Sequence, residues 1–151
     1  MFKLSKLADY GTVIMAHMAR DPERLMSAAD IAGETGLGLP TVNKVLKLLA
    51  QQALVAAQLG RRGGYTLGRR PALISLVDII DAIEGRFGLT ECASDPGACR
   101  HEGSCGVRRH WLQVDRAVRR ALQGLTLLHL AGPAPALARA VVFHHRPGSR
   151  V

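Results

Sequence analysis

The sequence predicts a mainly α-helical fold with one small β-hairpin. Three observations support this prediction. Apolar residues recur at helical spacing over most of the chain, Ser and Pro stand where helices begin, and a Gly-Gly pair separates two short β-type segments. Aromatic residues are scarce, so the core must consist of Leu, Ile, Val, Ala and Met. With 151 residues, the chain is long enough to form a domain with a real core.

The first helix is predicted from about Ser5 to Arg20, because Gly11, Ile14 and Met18 fall on one face. An Asp-Pro pair ends it, since proline disfavours helix in the residue before it. Two shorter helices follow, joined by a glycine-containing turn. Ser27 begins the first of them as an N-cap, and Pro40 stands at the expected start of the second. This arrangement is typical of a helix-turn-helix.

A β-hairpin is predicted directly after these two helices. Residues 54–57 and 65–67 are the expected strands, and the turn between them is Arg61-Arg62-Gly63-Gly64. A hairpin at this position is a wing. One more helix, capped by Ser75 and ending near Gly85, completes a winged helix-turn-helix domain that we assign to residues 1–85.

The remaining chain is predicted to contain a cysteine-rich loop, two helices and a tail. The loop spans residues 86–106, and a loop of that length without structure of its own needs a reason, such as a bound metal. Residues 107–131 are expected to form a long dimerisation helix and a short following helix. Residues 132–151 are expected to be a polar tail.

Apolar residues spaced alternately three and four apart run along the long helix, which is the seam of a two-helix coiled coil. They are Trp111, Val114, Val118, Ala121 and Leu125. A helix packed only on its own domain is the alternative. We favour a homodimer because the small winged domain offers little surface to cover the seam.

The charge balance predicts an anionic partner. Lys and Arg number 20 against 12 Asp and Glu, which gives a net charge of +8 and an isoelectric point near 10.3. Such a balance favours nucleic acid or a membrane surface. No segment is long and apolar enough to span a bilayer. Asp9 and His17 interrupt the first apolar stretch, which argues against a secretory signal, so we expect a cytoplasmic protein with no membrane partner.

Polar and basic residues on the second helix of the helix-turn-helix and on the wing predict a DNA interface. Hydrogen-bonding tips suit base edges, and positive charges suit phosphates. A solvated polar face would explain the helix alone, but the basic wing strengthens the DNA-binding interpretation. The candidate DNA-binding residues are Thr41, Asn43, Lys44, Lys47, Arg61, Arg62, Gly63, Gly64 and Tyr65.

Three cysteines stand at Cys92, Cys99 and Cys105, with the spacing Cys-x6-Cys-x5-Cys. An odd number of cysteines argues against a disulfide framework. Thiolates at these intervals in a glycine-containing loop can surround a soft metal centre, whereas zinc fingers prefer tighter pairs. The spacing alone leaves an iron–sulfur cluster, zinc, and free or redox-active thiols open. A cluster commonly takes four protein ligands, and the candidates for the fourth are Asp9, His101, Glu102 and His110.

The chain resembles the winged-helix regulators that include IscR, NsrR and the SUF-system iron–sulfur assembly regulators. The resemblance covers about residues 2–131 and depends on the order of four stretches, of which the first looks closest to the SUF-type members. They are Leu4-Ser-Lys-Leu-Ala-Asp-Tyr-Gly11, Arg61-Arg-Gly-Gly-Tyr-Thr-Leu-Gly68, Ser75-Leu-Val-Asp-Ile-Ile80, and the cysteine loop before a long helix.

The resemblance implies a homodimer that binds a palindromic operator in double-stranded DNA. It also implies an iron–sulfur cluster held by Cys92, Cys99 and Cys105, for which we favour [2Fe–2S] over [4Fe–4S]. The first cysteine gap is six residues here and five in the family. Arg108 stands where IscR-type members have a histidine ligand.

NsrR-type members use an acidic residue just before the Tyr-Gly pair of the first helix, and Asp9 occupies that position here. In related dimers the first helix reaches the cysteine loop of the other subunit. The resemblance therefore makes Asp9 the expected fourth ligand, with His110 as its main rival.

We expect a transcription regulator that senses iron–sulfur status and controls iron–sulfur assembly genes of the SUF type. A zinc-binding or thiol-redox-sensing winged-helix regulator is the alternative. An enzyme is disfavoured, because the sequence has no Cys-x-x-Cys, no nucleotide-binding loop and no obvious base beside a nucleophile.

Overall fold

The computed structural model describes residues 4–133, which form seven α-helices, one short 3₁₀ helix and one hairpin. This confirms the predicted fold class. The tail predicted for residues 132–151 lies outside the described residues from 134 onward. The elements are α1 Lys6–Met18, α2 Ala28–Thr35, α3 Leu39–Gln51, β1 Val55–Gln58, β2 Gly64–Leu67, a 3₁₀ helix at Pro71–Leu73, α4 Leu76–Glu84, α5 Glu91–Ser94, α6 Arg108–Gln123 and α7 Leu127–Ala131.

Serine caps define the starts of three helices, of which the sequence predicts the caps at Ser27 and Ser75. The Ser5 hydroxyl accepts a hydrogen bond from the Ala8 amide at the start of α1. Ser27 and Ser75 each form a complete capping box with an aspartate three residues later. Each box satisfies backbone donors that the first turn of a helix leaves without a partner. Pro40 is the second residue of α3, one position later than expected, because the helix begins at Leu39.

The core lies between α1, α3, α4 and the hairpin. Its largest fully buried side chains include Ile14, Met18, Leu46 and Ile79. Helices α1 and α4 approach closely at Gly11, where an added Cβ would stand 2.1 Å from Cδ1 of Ile83. The buried face of α1 is the one that the helical spacing predicts.

The hairpin is antiparallel, with Val55 opposite Leu67 and Ala57 opposite Tyr65. Met26 pairs with Tyr65 through two backbone hydrogen bonds of 3.0 and 2.7 Å, so the segment before α2 extends the sheet. This pairing fixes the wing against the helix-turn-helix.

The segment between α4 and α6 differs from the prediction, because it contains the short helix α5. The amides of Ala93 and Ser94 both bond to the carbonyl of Thr90, which closes a single helical turn. Cys92 and Ala93 are buried in this turn. Four residues are too few to show helical periodicity, so tertiary packing rather than local sequence pattern specifies α5.

Candidate DNA interface and cysteine centre

Helix α3 separates an apolar face from a polar one. Val42, Val45 and Leu46 are fully buried. Asn43, Lys44 and Lys47 are exposed, and Thr41 is half-buried; these are the residues that the sequence assigns to DNA contact. Burial of the apolar face fixes the rotation of α3 about its axis. The amide and ammonium groups of its other face are therefore presented to solvent as a set.

The wing presents a second basic surface. Arg61 and Arg62 are exposed in the turn between β1 and β2. Leu59, at the start of the same turn, is 99% exposed, and the sequence analysis did not select it. A leucine is normally expected in the core, so the sequence does not predict this exposure. Only the position of the turn in the folded chain shows that Leu59 is fully exposed to solvent.

Gly63 and Gly64 have a structural role that explains their place in the wing. A Cβ at Gly63 would lie 2.4 Å from the carbonyl oxygen of Gln58, and one at Gly64 would lie 2.6 Å from that of Met26. Both atoms belong to the backbone, so neither contact can relax by rotating a side chain. Tyr65 is half-buried and packs against the core. These three residues shape the wing that carries the two arginines.

The three cysteines are all free thiols. Cys92 is 8% exposed in α5, with its sulfur 3.3 Å from the hydroxyl oxygen of Thr90, and Cys99 and Cys105 are half-buried. Within residues 4–133, no three of the His, Cys, Asp and Glu side chains lie together in an arrangement that could hold one metal ion. The thiols therefore share a segment but do not form a closed site in this single chain.

The candidate fourth ligands lie in different places. Asp9 is exposed in the first turn of α1, and that end of α1 is tied to the end of α4 by a 2.8 Å hydrogen bond from the Ser5 amide to Glu84. His101 and His110 are exposed. The site predicted from Asp9 and the cysteines is thus not assembled within one chain.

Glu102 already has two partners. One carboxylate oxygen accepts a hydrogen bond from the Gly97 amide at 2.6 Å, and the other pairs with the guanidinium of Arg108. Arg108, at the position where the sequence analysis expected a histidine in IscR-type members, thus ties Glu102 of the segment to the start of α6. This engagement makes Glu102 a weaker candidate ligand than the exposed Asp9 and His110.

The candidate ligands supply the kinds of atoms that coordinate an iron–sulfur centre. Three unpaired thiols lie in one segment, and thiolates are the preferred ligands of iron–sulfur clusters. Exposed Asp9 and His110 can supply an oxygen or a nitrogen from outside that segment. Because no three of these candidate ligands lie together within residues 4–133, the segment must rearrange to hold a cluster, and a second chain can then supply the fourth ligand.

The predicted seam on α6 faces outward. Trp111 is 45% exposed and Val114 is 44% exposed; Leu125 is also 44% exposed, but it lies beyond Gln123, the last residue of α6, and so is not part of the helix. Ala121 is also exposed, whereas Val118 is half-buried against its own chain. The seam is therefore an apolar stripe that the described part of one chain leaves largely open to solvent.

The face of α6 next to this stripe is polar and holds α6 to its own chain, which the sequence pattern did not predict. Asp115 is 5% exposed, and its carboxylate accepts a 3.0 Å hydrogen bond from the Leu89 amide. Arg119 makes a two-bonded contact with Asp81 of α4, at 2.6 and 3.2 Å, and donates to the Phe87 carbonyl at 3.1 Å. Hydrogen bonding to Asp81 raises the pKa of the Arg119 guanidinium above its ordinary value. No signal in one sequence distinguishes these two residues from the other charged residues of α6.

Comparison with known proteins places this architecture in a family. Residues 4–133 match the sequence model of a protein family, which is described as Rrf2, iron-dependent transcriptional regulator. The chain belongs to the Rrf2 family. The protein rrf2 of Nitratidesulfovibrio vulgaris is 28% identical over 129 residues, which cover 85% of this chain and 86% of that protein.

Solved structures of Rrf2 relatives share the fold. The structure of CymR, the global cysteine regulator of Bacillus subtilis, has a TM-score of 0.68 at 30% identity and covers 87% of this chain and 97% of its own. The structure of IscR from T. potens has a TM-score of 0.63 at 26% identity, with 84% of each chain covered. The resemblance to the regulators that include IscR is confirmed.

Membership of the Rrf2 family establishes the general function. The chain is a winged-helix, DNA-binding transcriptional regulator and not an enzyme. None of the helices described between residues 4 and 133 is long and apolar enough to cross a membrane.

Proposed function

We propose that this Rrf2 regulator is a homodimer whose DNA affinity responds to an iron–sulfur cluster, with iron–sulfur assembly genes of the SUF type as its targets. One observation carries the proposal. Three free thiols lie in the segment that joins the last helix of the winged domain to α6, the helix with the open apolar stripe. A structural change at the thiols would therefore act between the winged domain and α6.

The proposed operator is palindromic double-stranded DNA. Exposed Asn43 supports direct contact with bases, while Lys44, Lys47, Arg61 and Arg62 support phosphate contacts. A twofold-symmetric protein reads two half-sites about 34 Å apart, one turn of DNA. Dimerisation through the α6 stripe accounts for the exposure of Trp111 and Val114.

The proposed cluster ligands are Cys92, Cys99 and Cys105, with Asp9 of the second subunit as the fourth. Asp9 is exposed and therefore accessible to another chain. A bound cluster supplies a centre that oxidants, nitric oxide or iron shortage can alter. A carboxylate ligand is harder and more labile than a thiolate, which suits a sensor. The three thiols and Asp9 do not meet within the described part of one chain, so the proposed site requires the cysteine segment to rearrange and Asp9 to come from the second subunit. We favour [2Fe–2S] over [4Fe–4S].

A thiol- or zinc-based sensor is the second candidate. The three thiols are free, and the structural relative CymR is the global cysteine regulator of Bacillus subtilis. A further relative, CymR of Staphylococcus aureus, is described in an oxidised form, at a TM-score of 0.65 and 26% identity, covering 89% of this chain and 99% of that chain. Thiol oxidation without a metal would use the same segment.

The test is metal and sulfide analysis of protein purified without oxygen. Iron and acid-labile sulfide in near-equal amounts, together with visible absorption that disappears in air, are the expected results. Zinc without sulfide, or free thiols without metal, would replace the cluster proposal with the second candidate. A matched sample in which all three cysteines are serine should contain neither iron nor sulfide.

A further inference from the structure

A polar cluster at the root of the cysteine segment has no role in the function proposed above. It consists of Asp81 on α4, Asp115 and Arg119 on α6, and the backbone of residues 87–89 between them. Asp115 and Arg119 are four residues apart, so they lie on one face of α6. Each binds a main-chain group of the segment: Arg119 the Phe87 carbonyl, and Asp115 the Leu89 amide.

Arg119 fixes Phe87 in three ways. Its guanidinium bonds to the Phe87 carbonyl, lies 5.0 Å from the centre of the Phe87 ring, and pairs with Asp81, which also accepts a bond from the Phe87 amide at 3.4 Å. The side chain of Arg119 is only 16% exposed, so the contact with Asp81 is shielded from solvent. Charge-assisted bonds in such a setting are stronger than their exposed equivalents.

Residues 87–89 also support α5. A Cβ at Gly88 would lie 2.4 Å from the Ser94 nitrogen and 2.8 Å from the Ala93 carbonyl carbon. The backbone at Gly88 thus packs directly against the turn that contains Cys92. Holding Phe87 and Leu89 on either side of Gly88 therefore holds α5, and with it the buried Cys92 thiol.

We propose that Asp115 and Arg119 are positioning residues for the cysteine site, which hold Cys92 in place by fixing residues 87–89 against α4 and α6. The relevance of this positioning to cluster binding rests on the proposed function. The positioning of the Cys92 thiol does not depend on whether a cluster binds. Removing either side chain frees the stretch and exposes Cys92. The thiols of Cys99 and Cys105, which lie beyond α5, are not held by this cluster.

The test is pulsed alkylation of the reduced, metal-free protein without oxygen, with iodoacetamide as the probe and peptide mass spectrometry to assign each cysteine. In the wild type, we expect Cys92 to react most slowly. In Asp115→Ala and Arg119→Gln, its rate should rise about tenfold, the factor that corresponds to about 1.4 kcal/mol and is comparable with the loss of one charge-assisted hydrogen bond. The rates of Cys99 and Cys105 should stay unchanged.

Two variants serve as controls. Asp115→Asn keeps an oxygen that can accept the Leu89 hydrogen bond, so it should retain slow Cys92 alkylation. Arg116→Gln changes an exposed arginine of the same helix and should leave all three rates unchanged. If Asp115→Ala does not fold, Arg119→Gln carries the test, since it leaves the buried carboxylate paired with the Leu89 amide.

Unchanged Cys92 reactivity in folded Arg119→Gln would overturn the proposal, and so would an equal acceleration of all three thiols, which indicates general loosening. A second readout separates this outcome from failure of the proposed function. If the wild type binds iron and sulfide, Arg119→Gln should lose the cluster faster in air. If the wild type binds neither, the cluster proposal fails while the alkylation result still decides the positioning role.

Discussion

The salt dependence of DNA binding tests the assigned interface most directly. Four exposed cations lie on α3 and the wing: Lys44, Lys47, Arg61 and Arg62. Each phosphate contact adds about 0.9 to the negative slope of the logarithm of the binding constant against the logarithm of the salt concentration. The slope should therefore be near −7 for a dimer and about half of that for a monomer. Affinity should fall about 10⁴-fold between about 50 and about 200 mM salt.

Arg62→Ala removes one phosphate contact from each protomer. We expect the slope of the dimer to become less steep by about 2, with weaker binding to every sequence tested. The assay is fluorescence anisotropy of a labelled duplex over that salt range. Arg116→Ala removes an equal charge from α6 and should leave the slope unchanged. Asn43→Ala should change the preference among duplexes and not the slope, because an uncharged amide releases no counterion.

Two results would refute this reasoning. A slope near zero for the wild type would mean that phosphate contacts do not supply the affinity. An equal loss of slope in Arg62→Ala and Arg116→Ala would mean that net charge acts at long range, without the assigned interface. A slope half as steep as expected, which becomes less steep by about 0.9 in Arg62→Ala and is unchanged in Arg116→Ala, would keep the interface and reject the dimer.

Four further predictions concern the dimer, the cluster and the fold. Val114→Asp should give folded monomers that no longer bind the operator, because association would bury an unpaired charge at a cost of several kcal/mol. Light scattering measures the oligomeric state, and a monomeric wild type would contradict this prediction. Cys99→Ser should give folded but colourless protein after anaerobic purification, so that retained iron and sulfide would exclude Cys99 as a ligand. Asp9→Ala should shift the cluster spectrum and speed its loss in air, whereas His110→Ala should behave normally; the reverse pattern would make His110 the ligand. Ser75→Ala should lower the free energy of unfolding by about 1 kcal/mol through loss of the α4 capping box, as measured by denaturant titration, while a change below about 0.3 kcal/mol would show that the cap is dispensable.

Local chemistry made most of the fold predictable. Ser27 and Ser75 mark helix starts because their hydroxyls satisfy backbone donors within three residues, and this needs no distant partner. The wing was predictable because a Gly-Gly pair between two β-type segments is typical of a hairpin turn, and Gly63 meets the nearby carbonyl oxygen of Gln58. These signals are readable in one sequence, since cause and effect lie within a few residues of each other.

The cysteine segment was predictable only in outline. Its thiols and their spacing are visible in the sequence, but α5 forms through packing of Cys92 and Ala93 against other parts of the chain. Asp115 and Arg119 bind partners that are 26 and 38 residues away in the sequence. No sequence pattern shows which distant residue a charged side chain will contact. The fourth ligand is not specified by spacing for the same reason.

Helix α6 joins the two events that a sensor must link. Val114 and Val118 alternate with Asp115 and Arg119 along it, and neighbouring residues of a helix point about 100° apart. One face thus meets the segment of the thiols, while the adjacent face forms the open apolar stripe. A helix is stiff over this length, so a shift of residues 87–89 against Asp115 and Arg119 changes the tilt of the stripe as well. If the proposed dimer reads half-sites about 34 Å apart, a small tilt at α6 would be enlarged at the two α3 helices, and a change at the thiols would then alter operator affinity.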